Sequence, residues 1–188
     1  MRFLFDEART AQAAACLVSL NGGRMNYMVL IKLLYLSDRQ SLIETGLPIT
    51  GDRMVSMPHG PVLSATLDLI KEPEPEPGIH SPWHEYLLTR PAPREVKLKL
   101  SDPDEDELSR YHLKVLKGVY CEFGKKGKYE LRDWTHQLPE WEDPKGSSRT
   151  IDPRRILEKA GVPRSRIDDF ERDADEDWFV RSLERGLA

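Results

Sequence analysis

Between residues 28 and 36 the chain reads MVLIKLLYL, nine residues in which only Lys32 carries a charge. A helix that is apolar on every side has no face to turn to water, so it must run through the middle of a fold. Asn26 stands where an N-cap belongs and Gly46 where a left-handed C-cap belongs, which predicts a helix ending near Thr45. Its second half, SDRQSLIE, turns polar and is expected to leave the core. Residues 47–57 alternate loosely and contain Pro48 and Gly51, the pattern of a short irregular strand or loop. The run then reaches His59-Gly60-Pro61-Val62. Pro61 suits the first position of a further helix to about Ile70, because its missing N–H needs no partner there.

The rest of the chain is arranged around that helix. Leu4, Ala8, Ala11, Ala15 and Val18 recur at helical spacing, and Asn21-Gly22-Gly23 ends the helix over residues 6–20. The EPEPEP run at 72–77 is incompatible with a helix interior and reads as an extended connector. Residues 83–89 and 95–100 read as two strands of a hairpin joined by Arg90-Pro-Ala-Pro, with Val96, Leu98 and Leu100 alternating with Lys97 and Lys99. Ser101 is placed to cap a long helix whose first turn carries Asp102, Asp104, Glu105, Asp106 and Glu107, with Leu108, His112, Val115 and Val119 as its buried stripe. Gly124 ends it. Short helices follow over 129–137 and 153–160, and a last one over 163–187. The fold class is mainly α (α+β): a compact helical domain with a central buried helix and a small antiparallel β-sheet or hairpin. Residues 1–160 form the domain and 161–188 an acidic amphipathic helix appended to it.

With 188 residues, 39% of them hydrophobic and 32% charged, the chain is long enough for a substantial core. No apolar run approaches the ~20 residues that span a bilayer. Asp6, Glu7 and Arg9 interrupt any signal-like N-terminal run, so a cytoplasmic address and no membrane partner are expected. Cys16 and Cys121 both fall in helical apolar patterns and read as buried free thiols. The net charge of −4 is unevenly spread. Residues 145–166 hold seven bases against two acids, a net of +5, and residues 168–177 hold seven acids against Arg172, a net of −6.

Enzyme chemistry finds no foothold in this pattern. His80 and His84 are four apart, but Pro82 lies between them and no carboxylate or cysteine stands at ligand spacing, so no metal or other cofactor is assigned. No nucleophile elbow or phosphate-binding glycine loop is present, and nothing orients Cys121 toward His112 or His136. The first two helices superficially resemble a helix-turn-helix, yet residues 28–36 offer almost no polar side chain to a base edge. The basic segment at 145–166 is the better candidate for DNA phosphates; pairing with the acidic segment beside it is the favoured alternative. In the last helix Ile167, Phe170, Ala174 and Trp178 share one line, with Phe179, Leu183 and Leu187 on an adjoining one. That pattern suits either a helix packed onto the domain or one that docks on a basic partner.

Lys32-Leu33-Leu34-Tyr35-Leu-Ser-Asp38-Arg39, then Gly46-Leu-Pro-Ile-Thr-Gly51-Asp52, then His59-Gly60-Pro61-Val62 resemble the Panacea domain of SocA-like antitoxins. Thr135-His136 with Trp141 is similar to that family's Thr-His…Trp segment. The likeness spans residues 4–156 and departs from the family at the proline-rich 72–77 insert, and it does not reach the last helix. It implies a non-enzymatic antitoxin that binds and neutralises a toxin from one of several unrelated classes. It implies too that the protein is bacterial or phage-borne, with delivery of the toxin to a protease as an alternative role; the basic segment at 145–166 offers a second alternative, an operator-binding regulator. An acidic protein of this kind suits a basic toxin acting on RNA or translation, reached by steered association. The expected partner-facing residues are Asp38, Arg39, Asp52, Arg53 and His59, with Asp173, Asp177, Trp178 and Phe179 on the last helix. Lys32, Leu33, Leu34, Tyr35, Gly46, Gly51, Gly60, Pro61, Val62, Thr135, His136 and Trp141 are expected to shape the scaffold. Oligomeric state stays open.

Overall fold

A computed structural model describes residues 1–76, 78–90 and 94–186. Helix α1 (Glu7–Leu20) starts at the Asp6 cap, whose carboxylate accepts from Arg9 N at 3.1 Å, and it ends at Asn21. A three-residue strand β1 (Arg24–Asn26) leads into α2 (Tyr27–Thr45), capped by Asn26 at one end and by left-handed Gly46 at the other. Every residue of α2 from Val29 to Asp38 is buried. Around it pack α1, α3 (Ser64–Lys71), α5 (Arg110–Phe123), α6 (Lys128–Thr135), α7 (Pro153–Lys159) and the strand β3 (Gly60–Leu63). The mainly α expectation with a central buried helix holds.

Among the described residues six short strands form two small antiparallel sheets. β1 pairs with β5 (Glu95–Leu98), which pairs with β4 (Leu87–Arg90). The second sheet has β2 (Met54–Met57) between β3 and the two-residue β6 (Arg149–Thr150). The expected β4–β5 hairpin is present, and its turn at 91–93 lies outside the described residues. Trp83 is not in the strand: it belongs to a short helix α4 (Pro82–Tyr86) with Pro82 in its first turn, and its ring is fully buried.

Three expectations need correction. Pro61 lies in β3, opposite Ser56 of β2, and the helix begins three residues later. β3 is an edge strand, and the Pro61 carbonyl turns away from β2 to accept from Lys32. The amide of the same residue faces that outer side, so the proline costs the ladder nothing. The helix expected from Ser101 begins at Arg110, with Ser109 and His112 closing a reciprocal capping box. Pro103 interrupts the earlier run, and α1 holds its end open: Gln12 accepts from Glu107 N at 2.8 Å, and Arg9 donates to the Glu107 carbonyl at 3.2 Å. The stripe of α5 is accordingly Val115, Leu116, Val119, Tyr120 and Phe123, with His112 only half-buried. Cys16 is buried as expected, but Cys121 is exposed on the far side of α5.

The last helix, α8 (Arg164–Glu184), lies back on the domain. Ile167, Ala174 and Ser182 are its buried residues. Gly46, at φ +81°, leaves room for the Phe170 ring, and a methyl group there would meet that ring at 2.5 Å. The N-terminal segment grips the other end: Arg2 stacks 3.9 Å from the Trp178 ring, and Arg185 donates to the Phe5 carbonyl at 2.8 Å. None of the helices is long and apolar enough to cross a membrane among the described residues.

Candidate interaction site

The motif residues converge on the polar interior where α2, the β2–β3 turn and α6 meet. Lys32 is 1% exposed and its ammonium donates to the Pro61 carbonyl at 2.7 Å. Gly60, at φ +90°, is what lets the turn come this close. A methyl group there would lie 2.6 Å from Lys32 Nζ, 2.8 Å from Thr135 Oγ1 and 3.1 Å from His136 Cδ2. His136 stacks on Trp141 with ring centroids 4.1 Å apart, and the Trp141 indole donates to the Met57 carbonyl at 3.1 Å. Burial, and next the Lys32 charge, push the His136 pKa down. Leu33, Leu34 and Val62 are buried in the core around this junction.

One turn further along α2, Tyr35 donates to Glu140 at 2.9 Å and Arg39 donates to the same carboxylate at 2.6 Å. Glu140 is 2% exposed, so this is an interior tie between α2 and the segment after α6, and Arg39 shows only an edge to solvent. Burial first, and the Glu140 charge with it, hold the Tyr35 phenol well above its ordinary pKa.

Asp38 and Asp52 were expected to face a partner, and both are buried. Asp38 accepts from Ile49 N and Thr50 N, each at 3.0 Å, and from the Thr50 hydroxyl, pinning the loop after α2. Burial pushes its pKa up to about 7, against the pull of those donors. Asp52 accepts from Ala65 N at 3.0 Å and from Thr66 N and Thr66 Oγ1 at 2.7 Å each. It thereby caps α3, whose own N-cap residue, Leu63, makes no side-chain bond. Gly51 beside it sits against the Leu4 backbone. Short polar side chains in a loop look alike in sequence whether they cap or contact. What separated these two was the location of the next helix.

The surface candidates fall in two places. Arg53 and His59 are exposed, Arg53 bonding Ser64 Oγ at 3.1 Å and His59 at the tip of the β2–β3 turn. The remainder lie on α8. Asp177 pairs with Arg181 at 3.2 Å, and Trp178 is half-buried beneath Arg2. Phe179 belongs to a different face. With Glu176, Val180 and Leu183 it follows the i, i+3, i+4, i+7 spacing that lines one side of a helix. Phe179, Val180 and Leu183 are each 54% exposed. Asp173 and Glu176 flank them, exposed and without an ion pair among the described residues. The sequence pattern sets Trp178 and Phe179 on adjoining lines of the helix and singles out neither Val180 nor Arg2. Helical spacing alone contained the signal for Val180, whereas nothing in the spacing pointed to Arg2.

Three of the seven bases in residues 145–166 form ion pairs within the molecule. Arg154 is bound by Glu158, Asp168 and Glu171, and both Arg149 and Arg155 pair with Glu142. Arg166 donates to the Glu44 carbonyl at 3.1 Å and lies over the Phe170 ring. No group of three or more potential metal ligands occurs among the described residues.

Comparison with known proteins agrees with the motif geometry. A family model described as antitoxin SocA-like, Panacea domain, matches residues 30–142. That interval begins in the first turn of α2, contains both arms of the β2–β3 turn, α6 and Trp141, and stops before α7 and α8. Neither a curated protein nor a solved structure gives a significant match.

Proposed function

The chain belongs to the SocA-like antitoxin family through its Panacea domain, and from that premise we propose that it neutralises a cognate protein toxin by direct binding, with the outer face of α8 as the contact surface. The observation that carries the choice of surface is the row Phe179, Val180 and Leu183, three apolar side chains each more than half exposed on one helix face. Isolated exposed apolar residues are ordinary, but three in one row framed by unpaired carboxylates make a docking strip. Asp173 and Glu176 give that strip a negative rim, so the partner it fits is a basic protein surface. The inner face of the same helix is already committed to the domain, which holds the strip in a fixed orientation. Binding then needs little ordering of the antitoxin, which favours affinity.

Co-expression with the product of the adjacent gene tests this. The expected result is rescue of growth and a complex that co-elutes on size exclusion. Failure of both would remove the toxin reading. A complex that survives Phe179→Asp with Leu183→Asp would instead keep the toxin and discard the α8 surface. Internal pairing of Arg149, Arg154 and Arg155 weakens the case for operator binding by leaving that reading chiefly the exposed Lys145, Lys159 and Arg164.

A further inference from the structure

Three neighbouring cavities, of about 490, 260 and 490 Å³, run end to end along β2. The first and second share Arg53, Ser64, Asp68 and Thr150, and the second and third share Met57, Leu67, Lys71 and Ser148. Together they form one open groove. Its floor is the side of β2 that carries Val55 and Met57, two residues apart and so on the same face of the strand. One wall is α3, whose Ser64, Leu67, Asp68 and Lys71 follow the i, i+3, i+4, i+7 spacing of a single helix face. The other wall is Ser148 and Thr150, and Thr150 stands opposite Val55 in the β2–β6 register. From Arg53 to Met57 the floor measures about 13 Å at the rise of a strand, and the groove continues past both ends.

The two ends of the groove differ in character. At one, Met28, Ile31, Met57, Val62 and Leu67 line an apolar recess, with Lys71 and His59 exposed beside it and no carboxylate among its described lining residues. In a chain of net charge −4 this is a local reversal of sign. At the other, Phe3 and Phe5 lie near Arg53, whose charge is offset by exposed Asp68. Asp52 lines that end too, but its carboxylate is already engaged by the first turn of α3. Arg53 and His59, the exposed partner-facing candidates outside α8, therefore stand at opposite ends of one groove.

We propose that this groove docks an extended segment of a partner protein, about six residues long, with a large apolar side chain seated in the recess and an acidic residue beside it. A straight channel along a strand fits an extended chain better than a helix, whose body is about 10 Å across. Neighbouring side chains of an extended segment point to opposite faces. An apolar residue turned to the floor thus has a neighbour turned to the rim, where Lys71 and His59 offer the complementary charge. Hydroxyls of Ser64, Ser148 and Thr150 on the two walls can bond its backbone. Asp68 keeps the acidic residue at the Lys71 end. The groove and the outer face of α8 share no residue, so this assignment stands without the toxin reading.

The test is selection of phage-displayed random peptides, about seven residues long, on the full chain. Enriched sequences are expected to place Asp or Glu directly beside a large apolar residue. The best of them, made synthetically, should bind with a Kd below about 100 μM by fluorescence anisotropy. Lys71→Glu with His59→Ala should weaken it at least about fivefold, and Ser148→Trp, which fills the groove from its wall, should abolish binding. All three positions are exposed, so folding does not depend on them. Phe179→Asp with Leu183→Asp should leave peptide affinity unchanged, and a loss there would move the site to α8 and overturn the proposal. No enrichment, enrichment of basic peptides, or binding indifferent to Lys71→Glu and Ser148→Trp would each overturn it as well. A dimer of the full chain in sedimentation that Ser148→Trp dissociates would overturn it in favour of a second copy in the groove.

Discussion

Helices α2 and α8 are the longest in the molecule, at 19 and 21 residues, and they handle polar groups in opposite ways. α2 carries Lys32, Tyr35, Ser37 and Asp38 into the core, where Tyr35 and Asp38 bond to other segments, Ser37 bonds back to Leu33 of its own helix, and Lys32 meets the Pro61 carbonyl. α8 keeps its many charges at the surface, where Arg154, Arg172 and Arg181 pair with them, and leaves apolar residues facing water. In α2 a polar side chain is structural because burial removes the alternative of bonding to water. In α8 an apolar side chain on the outer face has no structural task. The two helices therefore suggest opposite rules for finding function. Among buried polar groups the informative one is the group left short of partners, Lys32. On the surface helix it is the uncovered hydrophobe.

That contrast can be broken most severely at Asp38. Replacement by alanine leaves Ile49 N, Thr50 N and the Thr50 hydroxyl without their buried acceptor, and a loss of about 3–4 kcal/mol is expected. Urea unfolding at pH 7 reads this as a lower midpoint. A change below about 1 kcal/mol would mean that the loop after α2 finds other partners and that the interior is less committed than described.

The next largest effect is the pH dependence that Lys32 imposes. Its folded pKa of about 7 lies below the ordinary lysine value, so the unfolded chain binds the extra proton between pH 7 and pH 10. The cost of burying the charge is full below pH 7 and fades as pH rises. Relative to Lys32→Met, the wild type should gain about 2 kcal/mol between pH 7 and pH 9, at about 1.4 kcal/mol per fully developed pH unit. Unfolding curves of both proteins at the two pH values give the difference directly, and a flat difference contradicts a buried unpaired ammonium.

Smaller effects separate the two sides of α8. Phe179→Ala with Leu183→Ala should change stability by no more than about 0.5 kcal/mol and weaken the toxin complex by roughly tenfold. Trp178→Ala, which removes the ring beneath Arg2, should cost about 1 kcal/mol of stability. If Trp178→Ala affects only toxin affinity, and Phe179 with Leu183 only the melting temperature, the inner and outer faces have been assigned the wrong way round.

Much of this was legible in the chain before folding. The caps of α2 were signalled by Asn26 and Gly46, because a side-chain acceptor or a glycine beside an apolar run has a local use that distance along the chain does not alter. The β4–β5 hairpin followed from alternation. Where the reading went astray, two local rules competed. Pro61 fits the first turn of a helix and also an outward-facing position on an edge strand, and only the pairing of β3 with β2 decides between them. Ser101 and Ser109 are equivalent as caps until Gln12 and Arg9 of α1 take hold of residue 107.

The interaction sites divide along the same line. An uninterrupted apolar run from Met28 to Leu36 compels a buried helix in any fold that contains it, since no solvent-facing orientation is tolerable. The motif around Gly60 likewise carries its own family resemblance, later matched by the family model. Whether Asp52 caps a helix or meets a partner, whether Arg154 reaches a phosphate or Glu171, and which side of α8 faces water all depend on contacts between residues far apart in sequence. Those contacts form only when α2 is enclosed, so tertiary packing decided them.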